Sequence, residues 1–168
     1  MRRVQRSLQP PATAVARRLL RSGNVDSKFH RVKPRSTQEE TDGLRFFPRM
    51  LDKIRLRAKE QLDADYHANM GRGADARLVQ FLHVDYDQLS ARVLEGGTDR
   101  EILEWCCTQG HRLDANDKLI WNGFISKLGW NDAASDYLAE CKAEAGLADR
   151  DDIQTLGHLF DVEEGRRQ

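Results

Sequence analysis

Two short stretches place histidine beside carboxylates. Asp63, Asp65, Tyr66 and His67 form one, and His83, Asp85 and Asp87 form the other. Imidazole with carboxylates can hold a divalent cation or pass a proton. His67 with Asp63 and Asp65 is therefore the candidate for acid–base catalysis, and His83 with Asp85 and Asp87 the candidate metal set. Neither matches an established ligand spacing: there is no His-Glu-x-x-His helix, no glycine-centred calcium loop and no paired Cys-x-x-Cys. The plainer expectation is that Asp85 caps a helix and the others are solvated loop groups. Cys106, Cys107 and Cys141 give no disulfide framework. Adjacent helical side chains point about 100° apart, so Cys106 and Cys107 bridge only with strain, and all three read as small buried hydrophobes in a reducing compartment. Only His111 lies close enough in sequence to activate a thiol. Gly71-Arg-Gly73-Ala-Asp-Ala76 has glycines ahead of a helix, but a dinucleotide site needs a strand before them, and a polar loop stands there instead. No cofactor is expected.

These groups must be positioned by helices. Pro48 stands at the start of the first, where a missing N–H is harmless. Met50, Leu51, Ile54, Ala58 and Leu62 recur at helical spacing, with Asp52, Lys53, Arg55, Arg57 and Lys59 on the other side. Asp52 is expected to meet Arg49 or Arg55 as a surface pair, or Arg45, Arg49, Asp52 and Arg55 together to form a face for an acidic ligand. A loop over 63–73 precedes a short helix near 75–83. Asp85 caps another that stops at Gly96-Gly97, and Thr98 to Glu101 is a capping box for a helix closed by Gly110. Asp114 opens a helix whose Ile120, Trp121, Phe124, Ile125 and Leu128 form too broad an apolar band for one exposed face, so it is expected to be central. Asn131 or Asp132 caps the next, carrying Ala134, Tyr137, Leu138, Cys141 and Ala145. Ile153, Leu156, Leu159 and Phe160 suit a short last helix before a polar tail from Glu163. Trp105, Trp121 and Trp130 are expected in or beside the core. No period-two run bounded by hairpin turns is evident. The fold class is all-α, a bundle of six or seven short helices.

Charged residues make up 32% of the 168 residues, and the net charge is zero. The balance holds only in total. Residues 1–35 carry ten Arg or Lys, including Arg2, Arg3, Arg6, Arg17, Arg18 and Arg21, against the single acid Asp26. Residues 36–168 carry 17 basic and 26 acidic side chains. The division is thus a basic, disordered arm over 1–35 and one helical domain over 36–168, with a polar linker across 25–45. The arm is a tail resting on the acidic body, an organelle presequence, or an anchor for nucleic acid or anionic lipid. The composition excludes a membrane span and a secreted disulfide scaffold.

Pro34-Arg-Ser36, Gly43-Leu44 and Phe47-Pro-Arg-Met-Leu-Asp-Lys-Ile-Arg55 resemble the opening of a bacterial family catalogued as a domain of unknown function, family 5069. Phe81-Leu82, Gly97-Thr-Asp-Arg-Glu-Ile-Leu-Glu-Trp105 and Phe160-Asp-Val-Glu-Glu-Gly165 are similar to it as well. The resemblance covers roughly residues 33–166 and leaves the arm outside. It implies a small soluble helical domain and names no site.

Long periodic helices with good caps use most residues and leave no polar cluster convergent in sequence. The leading expectation is therefore a non-enzymatic interaction or structural module in the cytoplasm, with a protein partner or a second copy of itself. The alternatives are a small enzyme or metal-binding protein using the His/Asp loops, and a nucleic-acid or anionic-membrane binder acting through the arm.

Overall fold

A computed structural model describes residues 32–168. The arginines at 2, 3, 6, 17, 18 and 21, with the arm readings that rest on them, lie outside the described residues. Among the described residues the fold is helical, as its periodicity predicts. After a short hairpin come α1 (Phe47–Ala58), a 3-10 helix (Ala64–Asn69), α2 (Ala74–Leu82), α3 (Tyr86–Leu94), α4 (Asp99–Gln109), α5 (Ala115–Lys127), α6 (Ser135–Glu144) and α7 (Leu156–Glu163). No helix among the described residues is long and apolar enough to cross a membrane.

The start signals work as the sequence predicts. Asp85 accepts from the backbone N–H groups of Asp87 and Gln88 at 2.9 and 3.0 Å. Thr98 and Glu101 form a reciprocal capping box at α4, and Asp114 and Asp117 form another at α5. At α6 the expectation changes in detail. The helix begins after Ala134, and Asp132 closes the preceding turn by accepting from the N–H groups of Gly129 and Ala134.

The core is one cluster. Phe47, Met50 and Leu51 of α1 meet Leu78 and Leu82 of α2, Leu89 of α3, Ile102 and Cys106 of α4, and Leu159 of α7, all fully buried. Helix α1 packs chiefly on α3, and α5 on the hairpin and α7.

Four expectations need correction. First, the stretch read as a linker contains a hairpin, β1 (Glu40–Thr41) and β2 (Leu44–Arg45), turned by Asp42 and Gly43 at φ +48° and +79°. Positive φ at both turn residues matches the twist of a tight hairpin, and four strand residues are too few to show a period. Second, α1 stops at Ala58, and Leu62 lies beyond it, bridged to Val32. Third, α5 is not central: Trp121 and Ile125 face the core, while Leu119, Ile120 and Phe124 are 70%, 59% and 38% exposed. Trp130 is likewise exposed, at 48%. Fourth, the tail from Glu163 is not all solvated, because the Glu164 side chain is buried.

Two glycines separate close approach from open space. A Cβ on Gly110 would stand 2.2 Å from the Leu82 carbonyl oxygen, whereas one on Gly123 of α5 would meet nothing within 4 Å. Gly110→Ala should therefore cost about 1–3 kcal/mol through a backbone clash. Gly123→Ala should raise domain stability by about 0.5–1 kcal/mol by removing helix-interior glycine entropy. Urea unfolding followed by circular dichroism checks both signs.

Candidate functional site

Arg49 and Lys53 are one helical turn apart on α1, and both side chains run inward. Sequence periodicity places Lys53 on the solvent side and pairs Asp52 with Arg49 or Arg55. The fold instead buries both cations to 3% and 5% exposure and supplies partners from distant chain. The Arg49 guanidinium makes a forked pair with Glu164, Nη2 to Oε1 at 2.5 Å and Nη1 to Oε2 at 3.1 Å. Its Nη1 also donates to the Arg35 carbonyl at 2.6 Å. Tyr66 donates its hydroxyl proton to Glu164 Oε1 at 2.7 Å, and the Tyr66 and Phe160 rings lie 5.6 and 5.5 Å from the guanidinium carbon. Arg166 also contacts Glu164 and donates to the Pro34 carbonyl at 2.5 Å. Ser36 donates its hydroxyl to the buried Asp161 at 2.7 Å. Together these bonds fasten the segment before the hairpin, helix α1 and the C-terminal residues at one place.

The second buried pair lies deeper. Lys53 Nζ is 2.5 Å from Asp75 Oδ1, and the Gly71 N–H donates to the other carboxylate oxygen at 3.1 Å. Asp75 is fully buried, and the ammonium sits 5.3 Å from the centre of the Phe46 ring. Burial pushes the Lys53 ammonium below its ordinary pKa, opposed by the Asp75 charge, and burial lowers Arg49 in the same way. Burial raises the Tyr66 phenol. A lysine so held is the starting point of Schiff-base chemistry, but here its nitrogen is enclosed and bonded to a carboxylate. Arg49, Lys53, Arg166 and the more exposed Arg167 face Asp75, Asp161 and Glu164, so every carboxylate of the set has a cation beside it.

The other candidates on this helix are also engaged. Asp52 accepts from Arg35 Nε and Nη2, both at 2.8 Å, and from the Arg35 N–H at 3.0 Å. Arg35 Nη2 reaches Asp99 at 2.6 Å, and Arg55 reaches the same carboxylate at 2.5 Å. Its two carboxylate partners raise the Arg35 pKa. Arg45 pairs with Glu40 at 2.8 Å and donates to the Ser126 hydroxyl at 2.8 Å. The mixed-charge face is thus a set of internal ion pairs. Asp52 meets neither Arg49 nor Arg55 among these pairs.

The two His/Asp loops behave separately. Asp63 caps the 3-10 helix by accepting from the Asp65 N–H at 3.2 Å, and His67 Nε2 lies 3.3 Å from the Leu62 carbonyl. His83 stacks on His111 with ring centres 5.1 Å apart, and His111 Nε2 lies 3.3 Å from Asp117. Asp85 is occupied as a cap. Among the described residues no three His, Cys, Asp or Glu side chains gather where they could hold a metal ion. Cys106 and Cys141 are buried and Cys107 is half-buried. Cys107 lines a shallow groove of about 410 Å³ with Asp42, Glu104, Arg112 and Lys118, and none of the buried ions reaches it.

Sequence reasoning missed Glu164, Asp161, Arg166, Asp75 and Arg35. One signal was present: the segments 47–55 and 160–165, both of which carry the family resemblance, are the ones that meet here.

Arg49→Met leaves Glu164 short of its buried partner and should cost about 3–5 kcal/mol, whereas Arg55→Met, at a partly exposed pair, should cost under about 1 kcal/mol. Equal losses in urea unfolding would show that the two pairs do the same work. Burial pushes the Cys106 thiol up to about 12, so the native state keeps that proton longer than the unfolded chain, whose thiol titrates near about 8.5. Its contribution is therefore whole below about pH 8.5 and lost as pH rises toward 12. Aromatic-disulfide labelling of the native protein at pH 8 should modify Cys107 and spare Cys106.

No curated protein matches this chain. A family model described as a domain of unknown function, DUF5069, matches residues 31–166, which takes in the hairpin, every described helix and both halves of the buried ion network. The segments that carry the resemblance thus sit inside one continuous match, and the chain belongs to the DUF5069 family.

Proposed function

We propose that this domain is a non-enzymatic protein-interaction module whose working surface is the outward face of α5. One observation carries the reading. Asn116, Leu119, Ile120, Gly123, Phe124 and Lys127 all lie on the exposed side of that helix, and only Lys127 is charged. A helix face that simply meets water is normally charged. Helix α6 does this, presenting Asp136, Glu140 and Glu144 to solvent. Leaving adjacent leucine and isoleucine side chains in water forgoes about 25 cal/mol for each Å² that a partner could cover. Trp130 is exposed just past the end of α5, where its N–H bonds the Lys127 carbonyl at 2.8 Å. Tryptophan concentrates binding energy when a partner encloses it.

The polar groups that could have supported chemistry add weight from the other side. Arg49, Lys53, Asp75 and Glu164 satisfy one another in the interior, and Asp63 and Asp85 serve as caps.

A benzophenone amino acid placed at position 120 of the full chain, and irradiated in cells, should give an adduct of defined mass that Leu119→Glu abolishes. The same probe at position 140 on α6 should not. If position 120 gives no more adduct than position 140, the reading fails.

A further inference from the structure

Resting on that reading of α5 as a binding face, we infer that its partner is a second copy of this chain. The two α5 helices cross antiparallel about a two-fold axis, with Ile120 of each copy seated on Gly123 of the other. The spacing on the face is self-complementary in this register. When Ile120 meets Gly123, Leu119 meets Phe124 and Asn116 meets Lys127, and each contact occurs twice, as two-fold symmetry requires.

Gly123 is the feature the isolated domain does not use. It has an ordinary backbone conformation, it sits inside a helix where alanine would be more stable, and a Cβ there would touch nothing within 4 Å. On the face it shares with Leu119, Ile120 and Phe124 it presents bare backbone, where the isoleucine of another helix can bring the two backbones close.

Charge selects the direction. Asp114 caps α5 and Asp117 stands in its first turn, Lys118 beside them is drawn to the Asp42 carbonyl, and the last turn carries Lys127. An antiparallel crossing sets Lys127 of one copy beside the acidic first turn of the other and opposes the two helix dipoles. A parallel crossing would set lysine on lysine and acid on acid. Arg77, whose guanidinium carbon lies 5.6 Å from the Phe124 ring centre, supplies a cationic rim beside the Leu119–Phe124 contact.

Area bounds the contact. A 13-residue helix is about 20 Å long, and one face of it buries less than the roughly 800 Å² per partner of a standard interface. A contact of this size belongs to the weak, reversible class.

Sedimentation equilibrium of the full chain up to about 500 μM tests this. The wild type should pass from monomer to dimer. Gly123→Leu should keep its circular dichroism and melt no lower than the wild type, since the space is open and the helix loses an interior glycine, yet weaken association about tenfold or more. Asn116→Glu should tighten the pair through Lys127 of the other copy, and Asn116→Lys should loosen it. On oxidation, a mixture of Leu119→Cys and Phe124→Cys chains should give the mixed disulfide in preference to either like pair. A monomer throughout the range, a dimer indifferent to Gly123→Leu, or preferential 119–119 bridging would overturn the inference. If position 120 is photo-crosslinked only to a different protein, self-association fails and the binding face stands. If it is crosslinked to nothing, both fail.

Discussion

A guanidinium taken out of water must find acceptors for its N–H groups inside the protein, and the structure is arranged around that demand at Arg49. Its acceptors come from Glu164 and the Arg35 carbonyl, which lie at opposite ends of the described chain. Satisfying one side chain of α1 therefore requires that the segment before the hairpin and the residues after α7 be in place together. The apolar core alone would not specify this closure, because leucines pack in many nearly equivalent ways, while a forked arginine–carboxylate pair has few geometries. Lys53 and Asp75 impose a second condition of the same kind between α1 and the start of α2.

Charge burial and apolar exposure are related across the molecule. Helix α1 turns two cations inward, and α5 turns three large apolar side chains outward. The first is stable because every buried charge has a partner in the same chain. The second leaves apolar surface that nothing in the described fold covers. That asymmetry is why the interaction reading attaches to α5 and not to the ion network, whose buried cations and carboxylates are paired within the chain.

Local signals in the sequence were reliable where one stretch of chain decides the outcome. The caps at Asp85, Thr98 and Asp114, the break at Gly110 and the helical character of the body all depend on groups a few residues apart, so they were legible without a fold. Val32, Leu62 and the hairpin were not, because each pairing joins short segments without a period. The candidate site was the least legible part. Asp63, His67, His83 and Asp85 attracted attention by proximity in sequence, yet they bond to local backbone or stack on His111.

The alternation of apolar and polar residues by itself determined that this chain makes capped helices, because helix formation is governed by neighbours three and four positions away. It could not determine which face of α5 the core would cover, since Trp121 and Ile125 compete with Ile120 and Phe124 for burial and only the positions of the hairpin and α7 choose between them. Nor could it pair Arg49 with Glu164, 115 residues away, because the Coulomb attraction that joins them strengthens only after the surrounding helices have removed the water between them.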